Sequence, residues 1–222
     1  MDSKVVNKYI REIIRPELKA IGFSKFTSRN SWRYRENIID VINFQSFNSY
    51  NADVMGVTTY SFCVNLGSFH KDIPIQHQPI KVKADLLYPE EYQCQFRGGL
   101  NRTISQREID RTDIWYINSN GRNVESCVLD AKQQILTKGI NWFSYLEKKE
   151  TLREILLNQP ESMGELWGFG NNTSPNRSYL LGYVELLLGN ESEAKKHFEK
   201  VIESGCYKTV FRTANEAIAR AL

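Results

Sequence analysis

Hydrophobic positions along this chain change period twice, and the two changes divide it into a helix, a run of strands and a second helical region. Val6, Tyr9, Ile10, Ile13, Ile14 and Leu18 recur every three or four residues with Lys and Arg between them, which predicts an amphipathic helix over residues 2–21. Pro16 has no backbone N–H and restricts Arg15, so a kink or division is expected there, and Gly22 suits the C-terminal cap. From residue 27 the period falls to two. Trp32 and Tyr34 alternate with Arg29, Ser31, Arg33 and Arg35 up to a turn at Glu36-Asn37. The next strand, residues 38–46, sets Ile42 and Phe44 against Val41, Asn43 and Gln45. A third, residues 58–69, sets Tyr60, Phe62, Val64 and Leu66 against Cys63 and Asn65. Short links between consecutive strands favour an antiparallel meander.

Residues 47–55 read as a polar turn, and residues 70–90, with Pro74, Pro79 and Pro89, as a long connection away from the sheet. A fourth strand is expected near 92–97, ended by Gly98-Gly99, and a short aromatic fifth near 114–117. The period then turns helical. Val124, Val128, Ala131, Ile135 and Leu136 mark a helix that Gly139 is expected to interrupt, and residues 140–157 continue helical to the Asn158-Gln159-Pro160 break. A Gly/Asn/Ser-rich linker over 164–175 leads to helices over 178–188 and 191–204 and a last one from about residue 209. The expected fold is therefore α+β: an N-terminal helix on a meander of about five strands, followed by a helical C-terminal region, with domains at 1–158 and 159–222. Leu181-Gly182, Leu188-Gly189, Ala194 and Phe198 are similar in spacing to one tetratricopeptide-type helix hairpin, although Ser178 and Glu185 stand where aromatic residues would.

Composition adds exclusions. A 222-residue chain with 41% apolar and 25% charged residues can bury a substantial core, and no window approaches the ~18 apolar residues of a membrane span. The first twenty residues lack the pattern of a secretory signal, so the expected compartment is the cytoplasm. Cys63, Cys94, Cys127 and Cys206 are widely spaced with no Cys-x-x-Cys pair, and read as reduced, mostly buried thiols rather than metal ligands. The net charge is only +3, yet residues 1–35 hold nine Lys/Arg against Asp2, Glu12 and Glu17. That segment reads as a solvated basic surface, or more sharply as a patch attracting an anionic partner.

No catalytic grammar is present. His70 and His77 flank a Pro-containing loop beside Asp72 but lack the further ligands a metal needs, and His197 reads as solvent-facing within a charged run. There is no Gly-x-Ser-x-Gly elbow and no P-loop, and the Gly168-Phe169-Gly170 start lacks a third small residue. Glu90-Glu91 are adjacent and expected to face different ways. Catalytic residues, metal ligands and cofactors are accordingly all expected to be absent. The informative feature is the second face of the sheet. With Trp32, Tyr34, Ile42, Phe44, Phe62, Val64, Leu66 and Phe96 lining the core, alternation sends Arg33, Arg35, Asn43, Gln45, Asn65 and Arg97 to the other side. Guanidinium and amide donors so arrayed suit an anionic or polar ligand, and a plain wet sheet face is the bland alternative.

The segment ending in Ile21-Gly22-Phe23, the Trp32–Arg35 strand, Val41-Ile42-Asn43-Phe44-Gln45-Ser46, Phe62-Cys63-Val64-Asn65-Leu66-Gly67, Phe96-Arg97 and Trp115-Tyr116 together resemble a bacterial family known as domain of unknown function 4304, over roughly residues 1–146. The resemblance implies an α+β domain with an antiparallel sheet and carries no activity, cofactor or site residue with it. The function expected from the residues is a non-catalytic cytoplasmic module that binds a protein partner, for example one neutralising a toxin-like protein as immunity proteins do. Two alternatives are a nucleic-acid-associated protein using the basic N-terminal surface, with nucleic acid the less expected partner, and an enzyme or sensor that takes a small anion on Arg33, Arg35 and Arg97.

Overall fold

The computed structural model describes residues 3–75, 79–158, 166–167 and 174–221. His77 and the Gly168-Phe169-Gly170 stretch lie outside the described residues. The N-terminal helix comprises α1 (Ser3–Tyr9), a π-helical turn at Ile10–Ile14 and α2 (Arg15–Ala20). The expected disturbance at Pro16 takes this form: the turn just before the proline widens, with Arg15 N–H bonded back to Ile10 O. Val6, Ile10, Ile14 and Leu18 all remain buried.

The sheet runs in the order β1 (Phe23–Phe26), β2 (Asn30–Tyr34), β3 (Ile38–Ser46), β4 (Phe62–His70), β7 (Phe96–Gly99) and β8 (Leu166–Trp167), every pair antiparallel. The long connection between β4 and β7 contains its own two-stranded hairpin, β5 (Lys81–Lys83) and β6 (Leu86–Tyr88), and a 3₁₀ turn at Glu91–Gln93. Two expectations shift here. Tyr92 belongs to that turn rather than to a strand, and residues 114–117 make only a single bridge, Phe62 with Trp115, although Ile114, Trp115 and Ile117 are buried. The polar 47–55 stretch holds a short helix, α3 (Ser49–Val54), started by Asn48, whose side chain accepts from Asn51 N–H at 2.7 Å.

After the sheet come α4 (Val124–Gln134), a second π-helical turn at Ile135–Gly139, α5 (Ile140–Tyr145), α6 (Lys149–Asn158), α7 (Pro175–Leu187), α8 (Glu191–Glu203) and α9 (Ala214–Ala219). Gly139 does not interrupt the helix, which widens by one residue and continues. Helices α1, α2, α4 and α5 bury one sheet face through Ile42, Phe44, Phe62, Val64 and Leu66. In the C-terminal region, Gly182 lets α7 meet α8 closely: a Cβ there would lie 2.4 Å from the Phe198 ring. These helices share a core with Ile73, Phe96 and Leu146, and the Tyr179 hydroxyl donates to Pro74 O at 2.8 Å.

Candidate functional site

Register decides what each sheet face carries, because directly paired residues project to the same side. Trp32 pairs with Val41, Asn43 with Asn65, Gln45 with Cys63, and Gly67 with both Val41 and Arg97. Trp32, Tyr34, Asn43, Gln45, Asn65 and Arg97 therefore share one face. Arg33 pairs with Asp40 and Phe23, and so belongs to the helix-covered face with Ile42 and Phe44. The expected grouping of six residues is corrected on this point. Asn43, Gln45, Asn65 and Arg97 come together, whereas Arg33 and Arg35 lie on the opposite side of the sheet. Trp32 and Tyr34 alternate correctly with the arginines, but antiparallel pairing puts the aromatic set on the amide face.

Trp32 is nonetheless buried and Tyr34 half-buried, because the β4–β7 connection folds back over half of the amide face. Trp32 Nε1 donates to Pro89 O at 2.8 Å and Tyr34 hydroxyl to Leu87 O at 2.9 Å, and Trp32 packs with Ile39, Val41, Phe69, Ile80 and Cys94. At the other end of the face, α3 and the 109–114 segment pack Phe47, Ala52, Ile109 and Ile114 beside Cys63. The floor between these two coverings is a polar row. Asn43 Nδ2 donates to Asn30 Oδ1 at 2.5 Å, Asn30 Nδ2 to Glu90 Oε2 at 2.6 Å, and Asn65 Nδ2 to Gln45 Oε1 at 2.7 Å. Arg97 is held by Glu91 through Nε and Nη2, at 2.7 and 3.3 Å. Glu91 can reach it because Glu90 and Gln93 form a capping box on the 3₁₀ turn. Glu90 and Glu91 do face different partners. Large apolar side chains stand exposed on both coverings: Tyr50 (77%), Val54 (67%) and Met55 on or just after α3, and Tyr92 (62%) on the 3₁₀ turn.

The covered face carries charge of a different kind. Asp40 is completely buried, and Arg33 Nε and Arg35 Nη2 each donate to it at 2.7 Å, one to each carboxylate oxygen. Arg35 also pairs with Glu147 at 3.1 Å, and Arg33 lies over the Phe23 and Phe143 rings. Burial pushes the Asp40 carboxyl up, against the downward pull of Arg35 and Arg33. Ser68 Oγ and His70 Nε2 lie 3.1 Å apart nearby, with His70 pressed edge-on against Phe96. Burial drives the His70 imidazole down to about 3, so it is neutral and shut away from solvent. The signal for this cluster was present in Ile38-Ile39-Asp40-Val41-Ile42, a lone carboxylate within an apolar strand, which demands a buried cationic partner.

Burial raises the Cys63 thiol to about 12, Cys127 to about 11 and Cys94 well above its usual range, which favours the protonated thiol at all three; Cys206 is the exposed cysteine. Among the described residues, no three His, Cys, Asp or Glu side chains are grouped so as to hold a metal ion, and no helix is long and apolar enough to cross a membrane. His197 departs from the solvent-facing expectation: it is half-buried on α8, with its Nδ1 sealed from water.

The basic N-terminal segment is a coherent stripe. Lys8, Arg11 and Lys19 are exposed and Arg15 half-buried, at helical spacing opposite the buried positions. Arg15 bonds Thr27 O and, like Lys19, lies over the Phe26 ring, which joins the stripe to Lys25 and Arg29 of the β1–β2 hairpin. Burial, followed by the neighbouring Arg11 charge, lowers the Arg15 pKa. No curated protein and no solved structure gives a match to the chain. The sequence model of one family does match, over residues 14–145, a span that takes in α2, the sheet from β1 to β7, and α4 and α5. The chain belongs to that family, described as a domain of unknown function, DUF4304.

Proposed function

We propose that the protein is a non-catalytic module that binds a protein partner on the open half of the amide face. The observation that supports this reading is the arrangement there: a floor of hydrogen-bonded amides, Asn43, Gln45 and Asn65, between two raised edges bearing exposed Tyr50, Val54 and Tyr92. Neutral amides offer both donors and acceptors and so match a partner's exposed backbone, while the tyrosines supply rigid contact area at low entropic cost. Interlinked amides need little ordering on binding. Action in the cytoplasm, and a separate C-terminal unit of tetratricopeptide type over residues 159–222 that buttresses the sheet domain, belong to the same proposal.

Affinity capture with the wild type and a Tyr50→Ser/Gln45→Lys/Tyr92→Ser variant tests it. All three positions are exposed, so the variant is expected to melt like the wild type. One stoichiometric partner retained by the wild type and released by the variant supports the reading; equal retention defeats it.

The basic stripe favours a second reading, binding to a polyanion such as nucleic acid. Its mark is a steep linear fall of log K with log salt, with each Lys8→Gln or Arg11→Gln change reducing the slope by about 1. The small-anion alternative draws no support from its arginines, since Arg33 and Arg35 are engaged by Asp40 and Arg97 by Glu91 on the other face.

A further inference from the structure

A cleft of about 400 Å³ lies where α6, α7 and α8 meet, away from both sheet faces. Leu157 of α6 and Leu181 of α7 form an apolar side, and Leu157 stays exposed in it. Ser178, His197 and Lys200 line the polar side. Arg177, almost wholly buried, also borders the cleft and donates Nη1 to Leu156 O at 3.0 Å, which fixes the α6–α7 wall. Among the described residues that line it there is no carboxylate.

His197 gives the cleft its chemical direction. Its Nδ1 is buried without a hydrogen-bond partner. An unsatisfied buried polar atom costs about 1–3 kcal/mol, so an acceptor placed against it is favoured. The ring itself lines the cleft, and χ2 is a soft torsion for histidine, so the proposal below includes a rotation that presents Nδ1 to a ligand there. Burial first, and then the Lys200 charge, lower the ring's pKa. Glu185, Glu193 and Arg153 also face the ring, but Glu185 is engaged by Arg153 at 2.6 Å and Asn190 at 2.7 Å, and Glu193 by Lys196 at 2.6 Å. The cleft thus brings together a cation, an unpaired ring nitrogen and leucines, in a volume within the usual small-ligand range of about 300–1,000 Å³.

We propose that this cleft binds a small amphipathic monoanion, a medium-chain carboxylate, with its head group between Lys200 and His197 and its chain along Leu157 and Leu181. A single negative charge matches one free-standing ammonium beside a neutral imidazole, and a carboxylate oxygen can accept from Nδ1–H and from the Ser178 hydroxyl. The chain covers Leu157, which otherwise stays in water. This inference is independent of partner binding on the amide face.

The test uses the full chain and octanoate, with octanol and acetate as probes lacking the charge or the chain. Octanoate is expected to raise the melting temperature in a saturable way. It should also raise the His197 pKa, followed by imidazole NMR resonances assigned with His197→Gln, by about one unit, as an adjacent opposite charge does. Lys200 is exposed, so Lys200→Gln should melt like the wild type yet weaken octanoate about tenfold, the worth of one charge-assisted hydrogen bond. Octanol and acetate should both bind more weakly than octanoate. Octanol binding as well as octanoate, an unmoved His197 titration, or undiminished affinity in Lys200→Gln would each overturn the proposal.

Discussion

The two faces of the central sheet use the same strands to opposite ends. On the helix-covered face a full negative charge is buried: Asp40 has no exposure, Arg33 and Arg35 each donate to it, and Arg35 reaches on to the exposed Glu147. On the other face the polar groups are mostly neutral amides, bonded pairwise and left half open between α3 and the Glu91 turn. A buried charge must be paired, and on the covered face each carboxylate oxygen of Asp40 is taken by an arginine. Neutral amides cost little to leave wet and keep unused donors and acceptors. The face that looked reactive from its arginines is therefore the structural one, and the amide face is the available one.

The largest expected effect comes from breaking the buried pairing of Asp40. Asp40→Asn leaves two largely buried guanidiniums facing a neutral group and should cost about 3–5 kcal/mol in urea denaturation. A cost below about 1 kcal/mol would mean that the pairs behave as surface ion pairs, and the contrast between faces would fail.

Packing on the covered half of the amide face comes next. A Cβ at Gly67 would lie 2.6 Å from Cys94 Sγ and 3.3 Å from Glu91 Cα. Gly67→Ala should cost about 1–3 kcal/mol, partly recovered when combined with Cys94→Ala. Full additivity of the two changes would show that the connection is not pressed onto the sheet there.

Acidification probes the covered face through His70. Its pKa is lowered from about 6.5 in the unfolded chain to about 3 in the fold, so the unfolded state binds the extra proton and stability falls as pH drops below about 6.5. The loss should be about 1 kcal/mol between pH 6.5 and 5.5. Asp40, raised by burial, acts with the opposite sign below its folded pKa, which is why the comparison is made against His70→Gln. That variant should lose this part of the slope; an unchanged slope would take His70 out of the account.

The smallest effect belongs to the open floor. Gln45→Ala, at an exposed position, should change stability by less than about 0.5 kcal/mol in the same denaturation. A larger cost would make the amide row structural and count against its proposed role as a docking floor.

Much of this architecture is legible in the residues. Period-two alternation marks β2, β3 and β4, period-3.6 stripes mark the N-terminal helix and α4, and Gly182 with Phe198 marks the seam of the C-terminal hairpin. Local spacing is enough for these because each element must bury its own apolar stripe. Polar linkers gave no such signal, and α3, the β5–β6 hairpin and the Glu91 turn went unread for that reason.

Alternation along one strand also says which residues share a side without saying which side meets the helices. The sequence determined that Arg33 opposes Trp32 and that Asn43 accompanies Gln45. Only the tertiary structure decided that Trp32 pairs with Val41, that Asp40 draws Arg33 and Arg35 inward, and that the β4–β7 connection roofs half of the amide face. Pairing register and long-range burial are settled between segments far apart in the chain, where a one-residue change of register exchanges the two faces and no local pattern records the choice.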